Sequence, residues 1–140
     1  MKDISETLEY KGQKYKLVFD INVLEELQQE YGTFQRWIEY MSGDAKERKT
    51  GEKTTVKGSD GKPVEIELGE PDIKAVKLAY YLVINEGIEI ENEETGGNRK
   101  PVTMNFVGRM LTELDLGEAV KRLNKLAVES NQGGEDSKNE

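Results

Sequence analysis

The stretch from Ile73 to Ile84 constrains the fold more than any other segment, because apolar residues fall on nearly every face of the helix it would form. Pro71 and Asp72 stand just before it, and proline in the first turn with an acid nearby is typical of a helix start. A helix that is apolar all round has to be enclosed by other elements. We therefore expect a buried central helix from Pro71 to Glu86, around which the rest of the 140-residue chain packs.

The N-terminal segment predicts a β-hairpin. Two β-prone runs between residues 7 and 19 flank a turn that contains Gly12. Apolar residues recur at every second position within each run, at Leu8 and Tyr10 and then at Tyr15, Leu17 and Phe19. Because an isolated hairpin is only marginally stable in water, its apolar face is expected to pack on the helices that follow.

Helical spacing of apolar residues predicts two short helices directly after the hairpin. The first spans residues 21–31, with Asp20 as its N-cap and Gly32 at its end. The second spans 33–41, with Thr33 as the cap and Gly43 closing it.

Two more helices are predicted after the central one. An acidic loop is expected at residues 86–98, where five glutamates gather. A helix starting at Pro101 and Thr103 follows, and a last helix runs from about Gly117 to Glu129. The fold class is therefore α+β, mainly helical, with an N-terminal β-hairpin packed on about five short helices.

Two segments differ in composition from the single domain expected over residues 1–129. Residues 43–69 are rich in Gly, Lys, Thr and Glu, and Asp60-Gly61 lies between two β-prone runs. A flexible insertion with a second hairpin and a fully disordered one are both compatible with this pattern. Residues 130–140 are polar and contain two glycines, which predicts a disordered tail.

Composition argues against catalysis, cofactors and metal ions. The chain has no cysteine and no histidine, so the commonest general base, thiolate nucleophiles and the usual transition-metal ligands are all missing. No glycine-rich nucleotide-binding motif occurs, and the glutamates of residues 86–94 lack the ligand pattern of an EF-hand loop. We therefore expect no catalytic residues, no cofactor and no metal site. A small enzyme that uses carboxylates alone is the remaining enzymatic alternative.

The net charge of the chain limits the classes of partner that it is expected to bind. The chain carries 20 basic and 28 acidic residues, a net charge of −8. Such a surface repels phosphate backbones and anionic lipid headgroups, so neither nucleic acid nor membrane is expected as a partner. The longest apolar run, Leu78 to Ile84, is far shorter than a membrane span, and the N-terminus lacks the order of a signal peptide. A cytoplasmic protein that binds another protein is the expected class.

Aromatic and methionine side chains are the candidates for contacting that partner. Trp37, Tyr40 and Met41 would form an anchor if exposed, whereas helical spacing places Trp37 and Met41 on the core face. Phe106 and Met110 are the candidates on the later helix.

Several of these segments, taken in order, resemble one family. Asn22-Val23-Leu24-Glu25-Glu26-Leu27 follows the Lys-Gly-Gln-Lys hairpin, and the helix ends in Tyr31-Gly32-Thr33-Phe34. Residues 75–87 and 103–111 provide an apolar central helix and a "threonine, x, x, x, valine-glycine" helix. This order is similar to that of tail assembly chaperones from tailed bacteriophages of Gram-positive hosts, although the 43–69 insertion is longer than expected for the family.

The resemblance implies a helper that binds the tape measure protein and keeps it soluble until the tail tube polymerises around it. It implies a phage or prophage protein that works in the cytoplasm of the bacterial host and is missing from the mature virion. Tail tube subunits are a second candidate partner, and self-association is left open. The alternative is a structural phage component, such as a head–tail connector or minor tail protein, that stays in the virion.

Overall fold

The computed structural model describes residues 5–43, 53–57, 63–67 and 70–139, with side chains described in the ranges 5–43 and 70–131. The fold is α+β and mainly helical, as predicted, with an N-terminal hairpin against a helical body. Its elements are, in chain order, β1 (Ser5–Tyr10), β2 (Gln13–Val18), α1 (Ile21–Tyr31), α2 (Phe34–Ser42), β3 (Lys53–Lys57), β4 (Pro63–Glu67), α3 (Ile73–Thr95), α4 (Met104–Glu113) and α5 (Leu116–Asn139).

The predicted N-terminal hairpin is confirmed. β1 and β2 are antiparallel, with Leu8 opposite Tyr15. The two turn residues, Lys11 and Gly12, both have positive φ, at 50° and 75°, which matches the twist of a two-residue hairpin. The apolar side chains that alternate along the two strands are buried, and the hairpin packs against α3. These side chains therefore form one side of the hydrophobic core.

The central helix α3 is also confirmed, but its predicted end is wrong. α3 continues through Glu86 to Thr95, so most of the predicted acidic loop at 86–98 is helical. Gly87 lies inside the helix and allows β2 to pack closely against it. A Cβ at this position would lie 1.8 Å from the backbone oxygen of Lys16 in β2. The helix ends at Gly96, whose φ of 71° is the left-handed conformation typical of a C-cap.

Two asparagines of α3 hold the connection that follows it. The Asn85 amide donates to the Val102 carbonyl at 3.2 Å, and its oxygen accepts from the Val102 N–H at 2.8 Å. Asn92 makes the same paired contact with the backbone of Arg99, at 2.9 and 3.0 Å. These paired bonds lay residues 97–103 back along α3, and this sets where α4 begins.

The predicted caps of α1 and α2 are confirmed, and Thr103, predicted to start α4, is its cap. The side chains of Asp20, Thr33 and Thr103 accept hydrogen bonds from the backbone of the helices they precede. Gly32 and Gly43 take positive φ after α1 and α2, at 89° and 90°.

The last helix, predicted from about Gly117 to Glu129, is confirmed by α5, which begins at Leu116. The backbone remains helical to Asn139, and Ser130 is fully buried. A helix that has already started gains a hydrogen bond for each residue it adds, and no proline interrupts this stretch.

A second hairpin forms within the 43–69 insertion. β3 and β4 are antiparallel, with Thr54 opposite Ile66 and Val56 opposite Val64. The turn predicted at Asp60-Gly61 and the stretches for which flexibility was predicted, 44–52, 58–62 and 68–69, lie outside the described residues.

One hydrophobic core joins the N-terminal hairpin to the helices. Its largest fully buried side chains include Trp37, Tyr80 and Phe19, which come from α2, α3 and the end of the hairpin. Across the described ranges, no helix is both long enough and apolar enough to cross a lipid bilayer.

Candidate functional site

The predicted partner-binding residues do not form one exposed surface. Trp37, Met41 and Met110 are 0% exposed and belong to the core. The Trp37 indole N–H donates to the Ala75 carbonyl at 3.2 Å, which ties α2 to the start of α3. Because these three side chains are fully buried, no partner can reach them in this conformation. The burial of Trp37 and Met41 agrees with the core face that their helical spacing indicated, and Met110 is a core residue as well.

Tyr40 and Phe106 are half-buried and serve other contacts. The Tyr40 ring lies 5.6 Å from the Tyr31 ring, and its carbonyl accepts from the Asp72 N–H at the entrance to α3. Phe106 packs on the hairpin, with its ring 5.7 Å from that of Tyr10 and 6.0 Å from that of Tyr15. The two side chains consequently support the packing of separate elements.

The structure offers a different candidate, a groove between α1 and α3, referred to below as the α1–α3 groove. The two helices run antiparallel along it: Lys74 pairs with Glu30 at 3.8 Å near one end, and Asn22 bonds Glu86 at 2.9 Å near the other. It consists of two cavities of about 580 and 570 Å³, both of which Glu26 borders.

The first cavity, at the start of α3, has an apolar floor. Ile73, Leu78 and Met104 line it, and Ile73 is 52% exposed. Ile73 and Ile21 are the large hydrophobic side chains that are more than half exposed among the described residues, and of the two Ile73 borders this cavity. Exposed apolar surface inside a concave site is typical of a protein-binding site. The Lys74–Glu30 ion pair on the rim is exposed and contributes less than about 1 kcal/mol, so it does not hold the groove closed.

The second cavity combines aromatic and aliphatic surface with acids. Tyr81 and Leu82 of α3 border it, together with Glu25 of α1 and Glu89 of α3. All four side chains are exposed or partly exposed. Apolar side chains therefore line both cavities and form the apolar floor of the groove, in which Leu78 of the first cavity and Leu82 of the second lie one turn apart on α3. The charged residues around this floor differ between the two cavities.

Glu86, which borders this cavity, has a raised pKa. A hydrogen bond with the Asp20 carboxyl, together with partial burial, raises the pKa of Glu86 to about 7, while the Asn22 amide donating to it opposes the rise. Asp20 is also the N-cap of α1 and accepts from the Val23 N–H at 3.2 Å. The Asn22 amide and the Asp20 cap both lie beside Glu86, so this carboxyl connects the start of α1 to α3.

The α1–α3 groove has the chemistry of a binding surface. Its lining consists of aliphatic and aromatic side chains, amides, carboxylates and lysines. In the part of the chain with described side chains, no group of three or more acidic residues is arranged to hold a metal ion.

Sequence reasoning missed this groove because it depends on which helices become neighbours. The signal that was present is the pair Lys74 and Lys77, which gives α3 one polar edge within an otherwise apolar stretch. That edge shows that one side of α3 faces the surface, and Ile73 lies beside it.

Comparison of the chain with protein-family models, with curated proteins and with solved structures finds no match.

Proposed function

We propose that this chain is a tail assembly chaperone of a tailed bacteriophage or prophage, which binds the tape measure protein and keeps it soluble until the tail tube polymerises around it. The partner is engaged as an apolar helical segment, and tail tube subunits displace it as they add. The chaperone works in the cytoplasm of the bacterial host and is left out of the mature virion.

The observation that carries the proposal is the apolar floor of the α1–α3 groove. Ile73, which is 52% exposed, and Leu78 line one cavity of the groove, and Leu82, one helical turn beyond Leu78, lines the other. Such a floor accommodates the apolar stripe of a partner helix, whose side chains recur at i, i+3, i+4 and i+7. The acidic surface, with a net charge of −8, favours solubility while an aggregation-prone partner is bound.

The identity of the partner comes from the order of the family-like segments. The segments that resemble the chaperone family include α1 and the first half of α3, which are the two walls of this groove. The resemblance therefore falls on the elements that build the candidate site as well as on the hairpin and α4.

Co-expression tests the proposal. The products of the neighbouring genes, and in particular any long, helix-rich one, are expressed with and without this chain, and the soluble fraction and the recovered complex are measured. We expect the neighbour to be insoluble alone and to co-purify with this chain when both are present. An equally insoluble neighbour with no complex recovered would contradict the proposal.

Mass spectrometry of purified virions separates a chaperone from a structural component. A chaperone is absent from the particle, whereas a head–tail connector or minor tail protein is present in stoichiometric amounts.

A further inference from the structure

The two ends of the α1–α3 groove differ in charge. At the end near Ile73, Lys74 and Lys77 offset Glu26 and Glu30. At the other end, Glu25, Glu86 and Glu89 border the cavity together with two asparagines, and its lining contains no lysine or arginine. The groove is thus balanced at one end and acidic at the other.

Apolar side chains line both ends, and Leu78 at one end lies one turn of α3 from Leu82 at the other, so one occupant can lie across them. From Ile73 to Glu89 the axis of α3 advances about 24 Å at 1.5 Å per residue, the length of a helix of about 16 residues. A helix lying along the floor would place its two ends in these two different electrostatic environments.

A helix is itself polar, with partial positive charge at its N-terminus and partial negative charge at its C-terminus. Carboxylates stabilise an N-terminus and destabilise a C-terminus. Lysine or arginine in the first turns of the partner would add direct attraction to Glu25 and Glu89.

Resting on the proposed function, we propose that the α1–α3 groove binds its partner helix in one direction, with an N-terminal turn that carries Lys or Arg placed between Glu25 and Glu89. The partner helix then runs parallel to α1 and antiparallel to α3. Its apolar stripe covers Leu82, Leu78 and Ile73 in that order.

The environment of Glu86 agrees with this direction. Asp20, Glu25 and Glu26 lie on the α1 side and Glu89 on α3, and a hydrogen bond with the Asp20 carboxyl is the main cause that raises the pKa of Glu86 to about 7. A partner cation would favour the ionised form of Glu86 and so lower that pKa. Binding should accordingly release a proton near neutral pH.

Two synthetic peptides test the direction. Both are 16-residue helices with the same leucine and alanine stripe and the same side-chain lactam bridges, and circular dichroism verifies equal helicity. One carries lysines in its first two turns and the other in its last two. We expect the first to bind the full chain about fivefold more tightly by fluorescence anisotropy, and we expect Glu25→Lys with Glu89→Lys to remove the preference.

Glu93→Lys is the matched control, because Glu93 is an exposed acid of the same helix that lines neither cavity. It should leave the preference intact. Equal affinities, tighter binding of the second peptide, no binding of either, or a preference that survives the charge reversal would each overturn the inference.

The outcome is separable from that of the proposed function. If the neighbouring protein is solubilised but the peptides show no preference, only the direction fails. If the peptides bind directionally but the neighbour stays insoluble, only the identity of the partner fails.

Discussion

Replacing Gly87 by alanine is the sharpest test of how α3 is held in the core. Gly87 is buried in the middle of α3, where the helix crosses β2. A Cβ at this position would lie 1.8 Å from the Lys16 oxygen and 2.8 Å from its carbonyl carbon. Both atoms belong to the backbone, so the contact cannot be relieved by a side-chain rotation.

Two opposing effects set the size of the change. Alanine is about 1 kcal/mol more favourable than glycine in a helix interior, which alone would stabilise the protein. To reach even 3.0 Å, however, α3 and β2 must move apart by 3.0 − 1.8 = 1.2 Å, which opens the core around Leu17 and Tyr80. Overpacking that shifts backbone typically costs about 1–3 kcal/mol, and a 1.2 Å separation of two core elements belongs at the upper end of that range. We expect a net loss of about 2 kcal/mol in the free energy of unfolding, and a Tm lower by about 8 °C.

Urea unfolding measures this change directly, through the fluorescence of the single, buried Trp37 and through circular dichroism. Gly108→Ala is the control, because Gly108 is also in a helix interior but its added Cβ meets only the end of the Lys77 side chain, 3.1 Å from Cε. That side chain can swing away, so this variant should match the wild type or gain up to about 1 kcal/mol. If Gly87→Ala proves as stable as Gly108→Ala, the close approach of α3 to β2 is refuted.

Two further substitutions test the ties of α3 to its neighbours. In the folded chain Glu86 keeps a proton that the unfolded chain releases, so its contribution to stability is complete below the ordinary pKa of 4.5 and is lost as pH rises to about 7. Because Glu86 is partly exposed, we expect Glu86→Gln to flatten this loss by no more than about 1 kcal/mol between pH 5 and pH 8, seen in urea midpoints; an unchanged slope would contradict the raised pKa of Glu86. Asn85→Ala removes both bonds to Val102 and should cost about 2 kcal/mol, with faster amide exchange in residues 97–103. The exposed Asn98→Ala in the same connection should cost less than about 0.5 kcal/mol, and equal costs would refute the clamp.

The parts of the fold that the sequence predicts are those decided by local chemistry. Asp20, Thr33 and Thr103 cap helices because their side chains bond backbone only a few residues away. The N-terminal hairpin is predicted because its alternating pattern and its turn lie within one short stretch.

The parts that the sequence does not predict depend on contacts between distant residues. Gly87 followed by acids is typical of a helix end, and only the approach of Lys16 explains why glycine is needed inside α3. The α1–α3 groove exists because α1 and α3 become neighbours, which no periodicity within either helix specifies. Trp37 and Met41 show the reverse case, since their helical spacing correctly indicated burial while their residue types suggested an anchor.

The central claim is that the apolar floor of the α1–α3 groove binds the partner, and a pair of matched substitutions tests it. Ile73 and Ile21 are each the first residue of a helix, each follows an aspartate cap, and they are 52% and 62% exposed. Serine at either position should leave the fold intact, because each side chain is largely exposed before binding. Only Ile73 lines the groove.

The measurement is the affinity of each variant for the helix-rich neighbour in a quantitative pull-down. Losing the apolar contact of a half-exposed isoleucine is worth about 1.5 kcal/mol, so Ile73→Ser should weaken binding about tenfold while Ile21→Ser leaves it unchanged. Equal affinities for the two variants, or a loss confined to Ile21→Ser, would contradict the assignment of the groove as the partner-binding site.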